Sequence, residues 1–199
     1  MDTWQAINSV RVVREFADRP LEPDHLTRIV NAGRRTGSSK NEQRWVFISV
    51  QGRDRLRELA AVGRYAGHLA GAAAAVALVT PDPNSPRGKS IMWDLGRAAQ
   101  NMVLAAWELG IGSAPATVYD HGLAGRLLGL PTDQDCSFIL SFGYPSDPSV
   151  LTRTALSRPR RTKPTVVSTT SASWTRLPAG YCATRPSRTT SSRVSSDTP

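Results

Sequence analysis

The sequence predicts an α/β domain, a sandwich in which helices flank one central sheet, and three observations predict it. Helical and strand-like apolar periods alternate along residues 1–150, the pattern of a sheet covered by helices. The run "AAAVALVT" is continuously apolar and is followed by the turn-rich "PDPNSPRG", as suits a strand buried on both faces. A chain of 199 residues that is 40% hydrophobic carries enough apolar side chain for one core.

Taken in order, Asp2 or Thr3 caps a first short helix whose Trp4, Ala6, Ile7 and Val10 fall at helical spacing. "RVVREF" follows as an apolar segment flanked by arginines. "RPLEPDHLTRIVNAG" reads as a helix with Pro23 in its first turn, Leu26, Ile29 and Val30 on one face, and Gly33 near its end. "RWVFISV" alternates as a strand, and "RDRLRELAAV" returns to the helical period ahead of the buried strand. The longest helix is expected over "SIMWDLGRAAQNMVLAAWELG", capped by Ser90 and terminated by Gly110. "IGSAPATVY" then reads as a strand, "DHGLAGRLLGL" as a helix ended by Pro131, and "CSFILSFGYP" as the last core strand.

The net charge of +9 is unevenly placed: residues 1–150 carry 16 Lys and Arg against 15 Asp and Glu, residues 151–199 carry 9 against 1. Those last 49 residues include 20 Ser or Thr and only scattered apolar groups. Such a composition buries too little surface to offset the entropy of ordering, so disorder is expected beyond about Arg161. The basic tail reads as a solvated appendage or as a loose, salt-sensitive contact for nucleic acid or anionic lipid. Cys136 lies in an apolar run, as a small core residue would, and Cys182 lies in the tail, with no metal-like spacing between them. "MDTWQAINSV" lacks the basic start and apolar run of a signal peptide, and no apolar run approaches the roughly 18 residues of a membrane span. A cytoplasmic protein with no membrane partner is expected.

Standard catalytic sets are absent from the sequence. His25, His68 and His121 sit in different elements, with no pairing suited to a metal. His25 reads as a surface residue; His68 reads as a buried, hydrogen-bonded histidine or as a residue near a pocket. There is no nucleophile elbow, no phosphate-loop lysine motif and no dinucleotide fingerprint between a strand and a helix. Three polar groups remain. Arg11 and Arg14 are three apart, so a helical or turn conformation sets both guanidiniums on one side, to grip a phosphate or to pair with Glu15 or Asp18. Ser38, Ser39 and Asn41 supply hydroxyls and an amide just ahead of a strand, as a solvated loop or a ligand shell. "SAPAT" offers a proline-fixed backbone to a ring edge. A ligand with a phosphate, a polyol and a polar heterocycle uses all three kinds of donor, and flavin mononucleotide (FMN) has that constitution.

"SVRVVREFADRPL", "GSSKNEQRWVFISV", "DLGRAAQNMVLAAWELGIGSAP" and "LLGLPTDQDCSFILSFGYP" resemble, in order and spacing, the nitroreductase family of FMN-dependent oxidoreductases, over about Asp2 to Asp147. The resemblance implies a mixed central sheet flanked by helices, and a homodimer with FMN at the subunit interface. It implies electron transfer from NADH or NADPH through flavin to a small organic acceptor such as a nitroaromatic or quinone. Carried over, Arg11 meets the flavin phosphate or ribityl chain and Arg14 the pyrimidine edge, with Val12 between them in the same block. Val10 and Val12 stand where the family has an arginine and a serine. Ser38, Ser39 and Asn41 approach the flavin from the partner subunit, Gln43 and Trp45 are structural, and Arg44 replaces a usual proline. Pro115, Ala116 and Thr117 match the segment along the flavin near N5. Arg160 and Arg161 match the family's C-terminal phosphate arginine, but the pattern after them departs. Read one frame over, Ser168 to Ala172 can encode a His-His-Glu-Arg run, so the tail is expected to be a frameshift product. Two other readings stay open, a flavin-binding protein with little or no turnover and a basic-tailed nucleic-acid-binding module.

Overall fold

β2 (Ala74–Pro81) is the continuous apolar run, and seven of its eight residues are buried. Strand alternation sends its side chains to opposite faces of the sheet. Ala75, Ala77 and Val79 enter one core with Leu56, Leu59, Ala124 and Ile139, while Ala74, Val76 and Leu78 enter another with Ile29, Leu95, Met102 and Phe142. Helices α3 (Arg53–Leu59) and α5 (His121–Leu128) cover the first face, α2 (Pro23–Arg34) and α4 (Gly88–Glu108) the second. The computed structural model describes residues 1–152, together with the backbone of Val167–Thr170 and Ser173–Arg176. The chain divides into two units, Met1–Ala155 and Leu156–Pro199.

The sheet of the first unit runs β1-β2-β4-β3, with β1 (Val46–Val50), β3 (Gly112–Thr117) and β4 (Gln134–Gly143) completing it. Every strand pair in it is antiparallel, with Ile48 opposite Ala77, Val76 opposite Leu140 and Ala114 opposite Ser141. The mixed character expected of the sheet is confined to one parallel bridge, Val12 to Ser113. α3 and α5 join strands that pair antiparallel and α4 joins strands that lie apart, so alternation along the chain did not bring a parallel core with it.

α4 begins two residues before Ser90, with Arg87 at its N-cap. Ser90 is therefore inside the first turn, its hydroxyl donating to the Arg87 carbonyl, and it is not the cap. Gly110 does end the helix, in the left-handed region at φ 73°. α5 likewise stops at Gly129, φ 67°, ahead of Pro131. No described helix is long and apolar enough to cross a membrane. α1 (Thr3–Ser9) is closed by a capping box between Asp2 and Gln5. Only Ala6 of α1 is buried; Trp4 and Ile7 remain 68% and 51% exposed.

In the second unit β5 (Val167–Thr170) and β6 (Ser173–Arg176) pair antiparallel, Thr170 opposite Ser173. The remainder of the tail, Arg160 and Arg161 among it, lies outside the described residues, and so does most of the stretch expected to be disordered.

The segment from Arg11 to Phe16 crosses the sheet ends where glycines admit it. A Cβ on Gly112 would lie 2.6 Å from the Cβ of Val13, and one on Gly143 would lie 2.8 Å from the Phe16 ring. Gly112→Ala forces a branched, buried side chain to move and is expected to destabilise the fold by about 1–3 kcal/mol. Thermal unfolding measures this; an unchanged melting temperature contradicts the close approach.

Candidate functional site

One backbone bridge assembles half of the expected site. Val12 pairs with Ser113 at the start of β3, and the Val13 N–H donates to the Ser113 carbonyl at 2.9 Å. The segment is not helical, so the side-by-side placement expected for Arg11 and Arg14 does not arise. Exposure alternates instead, with Val13 buried, Arg11 partly buried, and Val12 and Arg14 exposed. Arg14 makes no ion pair among the described residues, and Asp18, one of its expected partners, faces Arg53.

β3 is the edge strand beside this segment. Its buried residues Ser113, Ala114 and Ala116 alternate from Ala114 onward with exposed Pro115 and Thr117. Pro115 has no N–H to give a neighbouring strand and is tolerated because its outer side is an edge. The alternation that turns the Ser113 carbonyl to Val13 also turns the Pro115 carbonyl and the Thr117 N–H away from β4. The first and third polar groups of the sequence therefore lie together.

His68, in the 3-10 turn Gly67–Gly71, joins them. Its Nδ1 lies 2.8 Å from Ser141 Oγ, and that hydroxyl donates to the Ala114 carbonyl at 3.2 Å. The serine has one proton, so the imidazole donates from Nδ1 and leaves Nε2 as an acceptor. Nε2 is buried and has no partner among the described residues. Burial, and after it the nearby Arg14 guanidinium, push the His68 pKa below its ordinary value, against an opposing pull from the Pro115 carbonyl. The hydrogen-bonded reading of this histidine holds, for the partly buried ring contacts the buried Ser141, and Arg14 and the Pro115 carbonyl lie near it. His25 is not a plain surface residue, because its Nδ1 lies 3.0 Å from the Tyr144 hydroxyl. Cys136 is buried, and burial raises its thiol to about 12.

The second polar group hangs on α4. The Ser39 N–H donates to Asp94 Oδ2 at 2.7 Å, and Asn101 Nδ2 donates to Thr36 Oγ1 at 2.7 Å. Inside the loop the Gln43 N–H donates to Ser38 Oγ at 2.9 Å, and Gln43 Nε2 donates to Asn41 Oδ1 at 2.8 Å. These bonds use lone pairs of Ser38 and Asn41 and leave the hydroxyl proton and the amide NH2 to donate. Glu42 accepts from Arg44 at 2.5 Å and from Arg87 at 2.7 Å, and these two cations lower its pKa. Arg44, standing where a proline was expected, is thus spent on its neighbour. Trp45 and Phe47 anchor the loop's exit, stacked at 6.1 Å between centroids. Asp94 was not singled out in the sequence. Its signal was a carboxylate on the stripe formed by Ile91, Leu95, Ala98 and Met102, all of them buried.

The model of the nitroreductase family matches residues 7–144. A protein of Archaeoglobus fulgidus carrying the name NADH dehydrogenase/NAD(P)H nitroreductase is 33% identical over 143 residues, covering 69% of this chain and 82% of its own length. A crystal structure of the same name from Parabacteroides distasonis superposes with a TM-score of 0.67 at 27% identity, covering 73% of this chain and 88% of that one. A nitroreductase from Desulfovibrio desulfuricans, crystallised in complex with FMN, gives 0.65 at 25% identity, over 74% and 89% of the two chains. This chain belongs to the nitroreductase family. As a member of that family it is an oxidoreductase.

The folded-state pKa of His68 lies below the ordinary 6.5, so as pH falls the unfolded chain takes up that proton first. Stability is then lost as pH drops below 6.5 and regained as it rises. His68→Gln is expected to flatten the melting temperature between pH 6.5 and about pH 5 relative to the wild type. Parallel curves for the two proteins contradict the assignment.

Proposed function

We propose that this chain binds FMN at the junction of the Arg11–Arg14 segment with β3, and passes electrons from NADH or NADPH to a small organic acceptor. The observation that carries the reading is the Val12–Ser113 bridge, which sets the backbone of the Arg11–Arg14 segment along the edge strand where Pro115 and Thr117 are exposed. The donor set fits the group: cations for a phosphate, hydroxyl and amide donors for a polyol, and strand-edge backbone for a heterocycle. Arg11 and Val12 are assigned to the phosphate side, Arg14 to the pyrimidine edge, and Pro115, Ala116 and Thr117 to the ring. Bound flavin supplies the two-electron chemistry. With flavin bound, Arg14 would offer a fixed positive charge to the anionic reduced ring and β3 would offer backbone dipoles that need no rearrangement.

Ser38, Ser39 and Asn41 are held by α4 and are assigned to the site of a second subunit. Trp4 and Ile7 on α1 and Trp93 on α4, 71% exposed, are side chains whose cover a homodimer would provide. Arg160 and Arg161 are kept as phosphate ligands of the tail. The family match ends at residue 144, and the basic tail of residues 151–199 is proposed to be a frameshift product, which resequencing of the coding region tests.

The purified protein is expected to be yellow and to bleach with NADH or NADPH. A protein that stays colourless after incubation with FMN refutes the reading, and colour without bleaching leaves a flavin binder that does not turn over. Arg14→Ala removes a charge-assisted hydrogen bond worth about 1.5 kcal/mol or more, so FMN affinity is expected to fall roughly 10-fold. Equal FMN dissociation constants for the variant and the wild type contradict the role of Arg14.

A further inference from the structure

We propose that Asp94 is a positioning residue that fixes the Thr36–Gln43 loop for flavin; the inference rests on the function proposed above for that loop. The loop is backbone-strained. Lys40, Asn41 and Gln43 lie at φ 53°, 56° and 48°, in the left-handed region that residues with a Cβ seldom occupy. Such a conformation persists where its surroundings over-determine it. α4 and its cap supply the surroundings at four points. Arg87 holds Glu42, Asp94 holds Ser39, Arg97 passes 3.4 Å from where a Cβ of Gly37 would stand, and Asn101 holds Thr36. Positions 87, 94, 97 and 101 recur at intervals of seven, three and four, which places them along one helix face.

Of these four, Asp94 is the buried one, at 6% exposure. A carboxylate withdrawn from water needs donors, and the Ser39 N–H at 2.7 Å is the short one, with Arg97 Nη1 at 3.5 Å. The bond is therefore enforced from both sides: the charge requires the loop, and the strained loop requires the charge. Because Asp94 takes the Ser39 N–H, Ser39 meets a ligand through its hydroxyl, and Ser38 and Asn41 on either side are held in register with it. The loop is thus set before flavin arrives, and its ordering cost is not charged to binding.

The test is FMN titration of the full-length apoprotein by flavin fluorescence, with apoprotein melting temperature and kcat at saturating FMN measured alongside. Asp94→Ala is expected to weaken FMN binding at least about 10-fold, and Asp94→Asn, which keeps an oxygen acceptor for Ser39, only about 2- to 4-fold. Saturating FMN is expected to restore most of kcat, because the residue does not touch the reacting atoms. Should Asp94→Ala fail to fold, Asp94→Asn and Asn101→Ala, which loosens the same loop from the same helix, are each expected to weaken binding by a few fold. A wild type that takes up no FMN overturns the function proposed for the loop. A wild type that binds FMN, with both Asp94 variants binding equally tightly or losing only apoprotein melting temperature, overturns the role of Asp94.

Discussion

Burial of β2 on both faces is the constraint from which the rest of this unit follows. A strand with no solvated side must find two apolar layers, and α2 with α4 and α3 with α5 provide them. Once β2 and β4 occupy the centre, β1 and β3 are left as edges. An edge is where backbone groups are still available, and it is against β3 that the arginine-bearing segment docks. The candidate site is thus a by-product of the core, at the edge where the sheet runs out.

The two halves of the site are held by different physics. Around Arg14 the backbone is extended and the determining contacts are tight apolar fits, Val13 against Gly112 and Phe16 against Gly143. Around Ser39 the backbone is left-handed and the determining contacts are polar, running to a buried carboxylate and to a cation pair about Glu42. The first half is set by volume, the second by hydrogen-bond acceptors and charge.

Period and composition made much of this legible. β2, α4 with its terminal Gly110, and the charge asymmetry of the tail all follow from local pattern, as do the four blocks that resemble the family. The Arg11–Phe16 segment was not legible, because its extended form is dictated by β3 and by two distant glycines. Ser90 was a plausible cap by residue type, but the helix starts where Gly88 packs beneath Pro83. Trp4 and Ile7 fall at helical spacing yet stay exposed, since spacing tells which side chains share a face and not what that face meets. Asp94 escaped a search for catalytic sets because its contact with the loop is one long-range hydrogen bond, to Ser39, whereas His68 was read as hydrogen-bonded but its partner, Ser141, lies 73 residues away.

Pro115 carries a further consequence. An exposed edge strand invites a foreign strand to zip alongside it, the first step of sheet-mediated self-association. A proline midway along β3, with Val12 already seated at Ser113, leaves no unbroken ladder of donors for such a strand to read. The residue proposed above to lie along the flavin ring also makes this edge illegible to another polypeptide. In this way a sheet can keep one margin open to a small molecule without leaving it open to aggregation.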